Sequence, residues 1–232
     1  MPPPDQPTVL LTGFDPFGGA TRNPSSEAVQ ALHGTTLAGH RVQALELPTV
    51  FGDAWQVLRA ALRQHRPALV VCVGQAGGRQ GLHIERVAIN LDDASIPDNA
   101  GHQPREQPIE PGAPTAYFSS LPLQTVVTEL RAQGLPAEVS NSAGTFVCNH
   151  VFYRLMHTLA TDPELRGTRG GFVHVPWLPE QGSPGMELGD VVRGLRGVVE
   201  VSTGDSRITR PSTPCAKPGS SARPQPSAGS WP

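Results

Sequence analysis

Along the chain, short apolar runs alternate with apolar stripes spaced three and four residues apart. Val9-Leu-Leu-Thr12 reads as a strand. It is followed by a helix from Pro24 to about Leu32, entered through Asn23 as N-cap with Pro at the first helical position and stopped at Gly34. Arg41 to Leu47 alternates as a second strand. Asp53 to His65 places Trp55, Leu58 and Leu62 on one helical face and ends before Pro67. Ala68 to Val73 is continuously apolar, as expected of a strand covered on both faces. Leu82 to Leu91 reads as one further strand. Leu123, Val126, Val127 and Leu130 mark a helix between Pro122 and Gly134, and Ala137 to Ser140 a strand. The next helix buries Phe146, Val147, Val151, Phe152, Leu155 and Leu159. Gly171 to Val175 is the last strand. A closing helix carries Leu188, Val191, Val192, Leu195, Val198 and Val199, although Gly189, Gly194 and Gly197 each weaken it by about 1 kcal/mol relative to Ala. Only Asp92 to Ser120 has no clear period, and a loop that long inside a domain is functional or holds further structure.

Strands alternating with helices predict a single-domain, three-layer α/β/α sandwich around a mixed, largely parallel sheet. The domain is expected over 1–202. Residues 203–232 are rich in Pro and Ser without an apolar face, and read as a disordered tail. In such sheets ligands sit at the carboxyl ends of the strands, which directs attention to Gly13–Gly19, Gly74–Gly78, the turn before the fourth long helix and the end of the last strand.

Composition narrows the function. The formal charge is −2 with no basic run, which argues against nucleic acid as a partner. Cys72, Cys148 and Cys215 form no CxxC pair, which fits a reduced compartment and no cysteine-rich metal site. The N-terminus lacks the apolar core of a signal peptide, and the longest apolar run is too short for a bilayer. A soluble cytoplasmic protein with no membrane partner is the expectation.

The candidate chemistry centres on Ser140-Asn-Ser-Ala-Gly-Thr-Phe-Val-Cys148. Asn141, Ser142 and Thr145 are candidate N-caps for the helix that follows. Cys148 falls within about a turn of that helix start, where unpaired N–H groups and the dipole favour a thiolate. A lone cysteine is otherwise more often a small buried hydrophobe, so a base and an acid must be found. His150 is two positions away and points to another face; His157 is too far along; His83 remains open. His174 fits best, central in an apolar strand, where each ring nitrogen needs a partner. Glu85 stands in a predicted strand, and a buried carboxylate there needs a pair. Arg86 faces the opposite side, so His174 is the natural partner. Cys148, His174 and Glu85 would then divide the roles of nucleophile, base and orienter.

Six blocks carry a family resemblance: Gly13-Phe-Asp-Pro-Phe-Gly-Gly with Asn23-Pro-Ser, Gly74-Gln-Ala-Gly-Gly-Arg, Glu85-Arg-Val-Ala-Ile-Asn90, Ile96-Pro-Asp-Asn-Ala-Gly101, Ser142-Ala-Gly-Thr-Phe-Val-Cys-Asn-His150 and Phe172-Val-His-Val-Pro176. Over about 8 to 200 the chain resembles the pyrrolidone carboxyl peptidase (pyroglutamyl-peptidase I) family. The resemblance implies a cytoplasmic cysteine peptidase without metal or cofactor, acting on peptides with an N-terminal pyroglutamate, usually as a homo-oligomer and often a tetramer. It implies Cys148, His174 and Glu85 as the catalytic set, with Phe14, Phe17, Asn23, Gln75 and Phe146 at the substrate. Ser95 departs from the pattern, since the family commonly has Arg there. A catalytically weak lactam-binding protein on the same scaffold is therefore the alternative. A nucleotide enzyme is a third reading, but Gly13–Gly19 matches neither GxGxxG nor GxxxxGK[ST].

Overall fold

The structure, a computed structural model, describes residues 6–204. Its elements run β1 (Thr8–Phe14), α1 (Pro24–Ala31), β2 (Thr36–Leu37), β3 (His40–Leu47), α2 (Asp53–His65), β4 (Leu69–Gln75), β5 (Leu82–Glu85), β6 (Val87–Ile89), β7 (Ala116–Phe118), α3 (Leu123–Ala132), β8 (Ala137–Ser140), α4 (Val147–Thr161), β9 (Arg169–Val175) and α5 (Leu188–Thr203). Thr203 thus closes the last helix, and the tail expected beyond it lies, from residue 205, outside the described residues.

Seven strands form the main sheet in the order β2-β3-β1-β4-β9-β5-β8. The neighbours β3, β1, β4 and β9 are parallel. β5 reverses against β9 and pairs parallel with β8. The sheet is mixed and mostly parallel, as the pattern predicted. Its central strands are largely apolar because both faces are covered.

Alternation along each strand decides which side chains meet. Val9, Leu11, Val71, Val73, Ile84, Val173 and Val175 join one core with residues of α1, α3 and α5. Leu10, Val70, Cys72 and Phe172 join the other with Trp55 and Leu58 of α2 and Val151 and Phe152 of α4. The same parity puts Gly74, His83, Glu85 and His174 on the α4 side. The two-residue period alone therefore aims the polar residues of β5 and β9 at the helix that carries Cys148.

One expectation needs correction. Leu82 to Leu91 is two strands, not one. After Glu85, the N–H of Arg86 makes a last bond to Ser140 O at 2.8 Å, and the chain leaves the main sheet. β6 then pairs with β7 in a separate two-stranded sheet. The side chain of Asn149 holds the departing strand, accepting from Ile89 N–H and donating to Ile89 and Leu91 carbonyls at 2.9 to 3.0 Å. The stretch from Asp92 to Ser120 contains β7 and a bridge between Asp92 and Gln107. These segments are too short for a period to register.

The glycines of α5 divide by what surrounds them. A Cβ at Gly194 would meet Leu82 Cδ2 at 2.8 Å, and one at Gly197 would meet Leu130 Cδ2 at 2.8 Å; one at Gly189 would meet nothing within 4 Å. The first two let α5 approach the sheet and α3 closely. Gly189→Ala is therefore expected to stabilise the domain by about 0.5–1 kcal/mol. Gly194→Ala should destabilise it by about 1 kcal/mol or more, because overpacking outweighs the propensity gain. Urea midpoints of the two variants check this, and equal shifts of the same sign would contradict it.

Candidate active site

The carboxyl ends of β1, β3, β4 and β9 converge at one edge of the sheet, where α4 begins. His174 lies one residue from the end of β9, with Gly74 as its Cα partner on β4 and His83 as its partner on β5. Its Nδ1 lies 2.8 Å from Glu85 Oε1. Glu85 is fully buried and His174 is 4% exposed. With Nδ1–H donated to the carboxylate, Nε2 is the ring nitrogen left to accept a proton.

Cys148 reaches this pair because Gly74 has no side chain. A Cβ on Gly74 would lie 2.8 Å from Cys148 Sγ and 2.9 Å from Phe172 Cζ. The sulfur therefore occupies the space above Gly74, directly beside the strand position of His174. Gly74 is required here by close approach, not by backbone conformation.

The start of α4 differs from the expected capping. Its N-cap is Phe146, in extended conformation, with no side-chain cap bond. Thr145 donates its hydroxyl to Asp93 O at 2.7 Å, and Ser142 Oγ accepts from Gly144 N–H at 3.2 Å. The candidate caps are thus spent on the turn and on the neighbouring loop. The first helical bond runs from His150 N–H to Phe146 O. The N–H groups of Val147, Cys148 and Asn149 precede it and have no acceptor within the helix. Of these, the Cys148 N–H acts on its own sulfur, and free donors at a helix start suit a developing oxyanion.

Burial pushes the Cys148 thiol up to about 12, and the charge of Glu85 adds to the shift; Arg79 and the N–H of Cys148 oppose it. Although Cys148 is only part-buried, the direction of the shift favours the thiol, which then calls for a base. Cys72, buried in β4, is also pushed up to about 12 by desolvation. His83 sits beside the pair with Nδ1 3.1 Å from Glu138 Oε1. Burial, followed by the charge of Arg79, holds its ring below the ordinary imidazole range.

Aromatic rings line the approach. Phe17 and Phe146 have centroids 6.1 Å apart, and Phe51 meets Phe146 edge-on at 5.3 Å. Phe14 is buried and packs on Phe172 at 6.4 Å. Asn23 donates to Asp15 O at 3.0 Å and accepts from Ser25 N–H and Ser25 Oγ. Its amide is thus engaged in shaping the Gly13–Gly19 loop. Gln75 ends β4, and its Oε1 accepts from Gln181 at 3.3 Å. Ser95 is exposed on the Asp92–Gln107 excursion.

Phe51 and Arg79 were not singled out in the sequence. Phe51 follows the carboxyl end of β3 just before Gly52, the same strand–loop position that drew attention to Phe14 and Phe17. Its N–H donates to Asp98 Oδ2 at 2.9 Å. Burial would raise Asp98, but the N–H groups of Phe51, His102 and Ala100 hold it below the usual carboxylate range.

Fold and site together define an α/β protein whose polar centre is a thiol at a helix start beside a His–Glu pair. A family model described as pyroglutamyl peptidase matches residues 7–204. A pyrrolidone-carboxylate peptidase of Gloeobacter violaceus is 51% identical over 205 residues, 86% of this chain and 98% of that one. Pyroglutamyl peptidase I of Bacillus amyloliquefaciens superposes with a TM-score of 0.82 at 46% identity, over 84% of this chain and 96% of that one. A mutant pyrrolidone carboxyl peptidase of Pyrococcus furiosus gives 0.81 at 40% identity, over 84% and 97%. The chain belongs to the pyroglutamyl peptidase family. No helix among the described residues is long and apolar enough to cross a membrane.

Two outcomes follow for the thiol, both read by iodoacetamide labelling in a Cys215→Ser background. The reactive form is the thiolate, and a raised pKa means that its fraction grows with pH. Labelling of the free protein should therefore rise about tenfold per unit from pH 7 to 9; a flat profile would contradict the protonated resting state. Gly74→Ala should slow labelling at every pH while the melting temperature falls by only a few degrees, since the added methyl displaces the sulfur from its niche.

Proposed function

We propose that this chain hydrolyses the amide bond after an N-terminal pyroglutamyl residue, with Cys148 as nucleophile, His174 as base and Glu85 as the group that orients His174. The observation that carries the reading is the 2.8 Å contact between buried Glu85 and His174, with Cys148 Sγ seated over Gly74 at the strand position of His174. The names carried by the related proteins supply the substrate.

His174 Nε2 takes the thiol proton as sulfur attacks the pyroglutamyl carbonyl. The tetrahedral oxyanion is held by N–H groups at the start of α4, where the helix dipole also favours negative charge. The imidazolium then protonates the departing amine, the C–N bond breaks, and a thioester to Cys148 remains. Water, deprotonated by His174, attacks the thioester; release of pyroglutamate returns the thiol. Glu85 fixes the tautomer and balances the transient imidazolium.

Phe17, Phe146 and Phe51 form the apolar wall for a flat, neutral lactam, with Phe14 and Phe172 packed behind them. Gln75 borders the pocket at the end of β4, and Asn23 supports the loop that carries Phe17. An N-terminal Glu would bring an ammonium and a carboxylate to this wall, and desolvating them unpaired is costly. The only lysine of the chain, Lys217, lies outside the described residues. The reading extends to a cytoplasmic homo-oligomer whose activity resides in residues 1–202. The support is the family membership and, among the described residues, the free Cys72 and Cys148.

Cys148→Ser should lower kcat/KM on pyroglutamyl aminomethylcoumarin amide by about 10³-fold or more. Wild-type turnover by that variant would end the assignment. On matched pyroglutamyl, glutamyl and prolyl amides, the pyroglutamyl substrate should be preferred by about 10⁴-fold, because donors and acceptors placed for the lactam are left unpaired by the others. Similar values for all three would contradict the pocket. Phe17→Ala and Phe51→Ala should each lower kcat/KM while leaving iodoacetamide labelling of Cys148 intact.

A further inference from the structure

Glu85 is the buried charge of the site, and it has a second partner that the reaction above does not use. Arg79 Nη1 lies 3.0 Å from Glu85 Oε1, the oxygen that also receives His174 Nδ1. Arg79 Nη2 donates to the Ser142 carbonyl at 3.4 Å, in the turn that leads to Cys148. One guanidinium thus spans the carboxylate of β5 and the segment that delivers the thiol. Arg79 itself belongs to the glycine loop after β4, so three segments of the site meet on it. Its side chain is 31% exposed against 0% for Glu85. It opens onto a cavity of about 500 Å³ that is also lined by His83, Arg131 and Glu138.

We propose that Arg79 is a positioning residue for the hydrolysis proposed above, on which this inference rests: it balances the charge of Glu85, shares Oε1 with His174, and holds the Ser142 turn so that Cys148 meets the imidazole. Once the thiol proton has moved, the site holds thiolate, imidazolium, carboxylate and guanidinium, two charges of each sign. Without Arg79 it carries a net negative charge. No neighbour replaces that cation. Cys72 faces the site from β4, His83 from β5 and Cys148 from α4, and Glu138 of β8 is paired with His83. Arg86 is turned to Asn141 and Arg131 to the carbonyl of Ala137. Glu85 alone would then hold the proton on His174 to higher pH, since a nearby opposite charge favours the charged form.

The test is the pH profile of kcat/KM for Arg79→Ala and Arg79→Lys on pyroglutamyl aminomethylcoumarin amide. Arg79→Ala should lose about 10- to 100-fold at neutral pH, mostly in kcat, as expected when reacting groups are misplaced. Its acid limb should move up by about one pH unit, because the base must be unprotonated to act. Arg79→Lys should keep the wild-type limb with part of the rate. Added guanidinium, well below unfolding concentrations, should restore activity to Arg79→Ala through the adjoining cavity. If Arg79→Ala does not fold, Arg79→Gln removes the charge with less change of shape and carries the same prediction. An unmoved acid limb with a uniform loss of rate, or wild-type activity in the charge-free variant, overturns the role. The two readings fail separately: turnover by Cys148→Ser sinks the hydrolysis, whereas a dead Cys148→Ser with an unmoved limb in Arg79→Ala sinks only this inference.

Discussion

A fully buried carboxylate is the constraint around which this protein is arranged. Removing a carboxylate from water costs several kcal/mol unless geometry and hydrogen bonds return it. Glu85 Oε1 meets both His174 and Arg79, so β5, β9 and the loop after β4 are tied at one atom. Glu85 reaches diagonally across the antiparallel ladder to His174, since its Cα partner is Phe172 and not His174. The site thus draws on a parallel pair, β4 with β9, and on the antiparallel pair of β9 with β5.

Shape supplies what charge does not. Cys148 is brought to His174 by an absent side chain, because Gly74 leaves open the space that the sulfur fills. Beyond β4 the ring of Trp177 presses on Gly77 in the same way, where a Cβ would lie 1.9 Å from the indole. Gly74 and Gly77 thus serve close packing, against the thiol and the indole respectively, whereas Gly78 has open space and a positive φ of 75°. The first two are covered by side chains of the protein itself.

The pocket is assembled by loops clamped to each other. Asp15 Oδ1 accepts from Thr49 N–H at 2.7 Å and from Asn99 Nδ2 at 3.2 Å, and Asn99 N–H donates to Thr49 O at 3.0 Å. Asp98 gathers the N–H groups of Phe51, Ala100 and His102. Asp93 N–H donates to Thr145 O at 3.0 Å and the Thr145 hydroxyl donates to Asp93 O at 2.7 Å, which fastens the same loop to the start of α4. The aperiodic stretch after β6 is therefore the strap that sets Phe17, Phe51 and Phe146 against one another. Its function is positional, and its sequence shows no pattern because hydrogen bonds between loops have no period.

The sequence by itself determined the layers, the largely parallel sheet and the face on which Glu85 and His174 lie. Each follows from a local period or from the cost of burying charge. It also singled out Cys148, because a thiol near a helix start has a definite electrostatic meaning. Tertiary structure alone decided the rest. Whether Leu82–Leu91 stays in one sheet depended on Asn149, 60 positions from Ile89, capturing that strand's backbone. Whether Thr145 caps α4 depended on the carbonyl of Asp93. The roles of Gly74, Phe51 and Arg79 rest on atoms from distant segments arriving within a few ångströms. No local pattern encodes that, since close approach is a property of the packed chain.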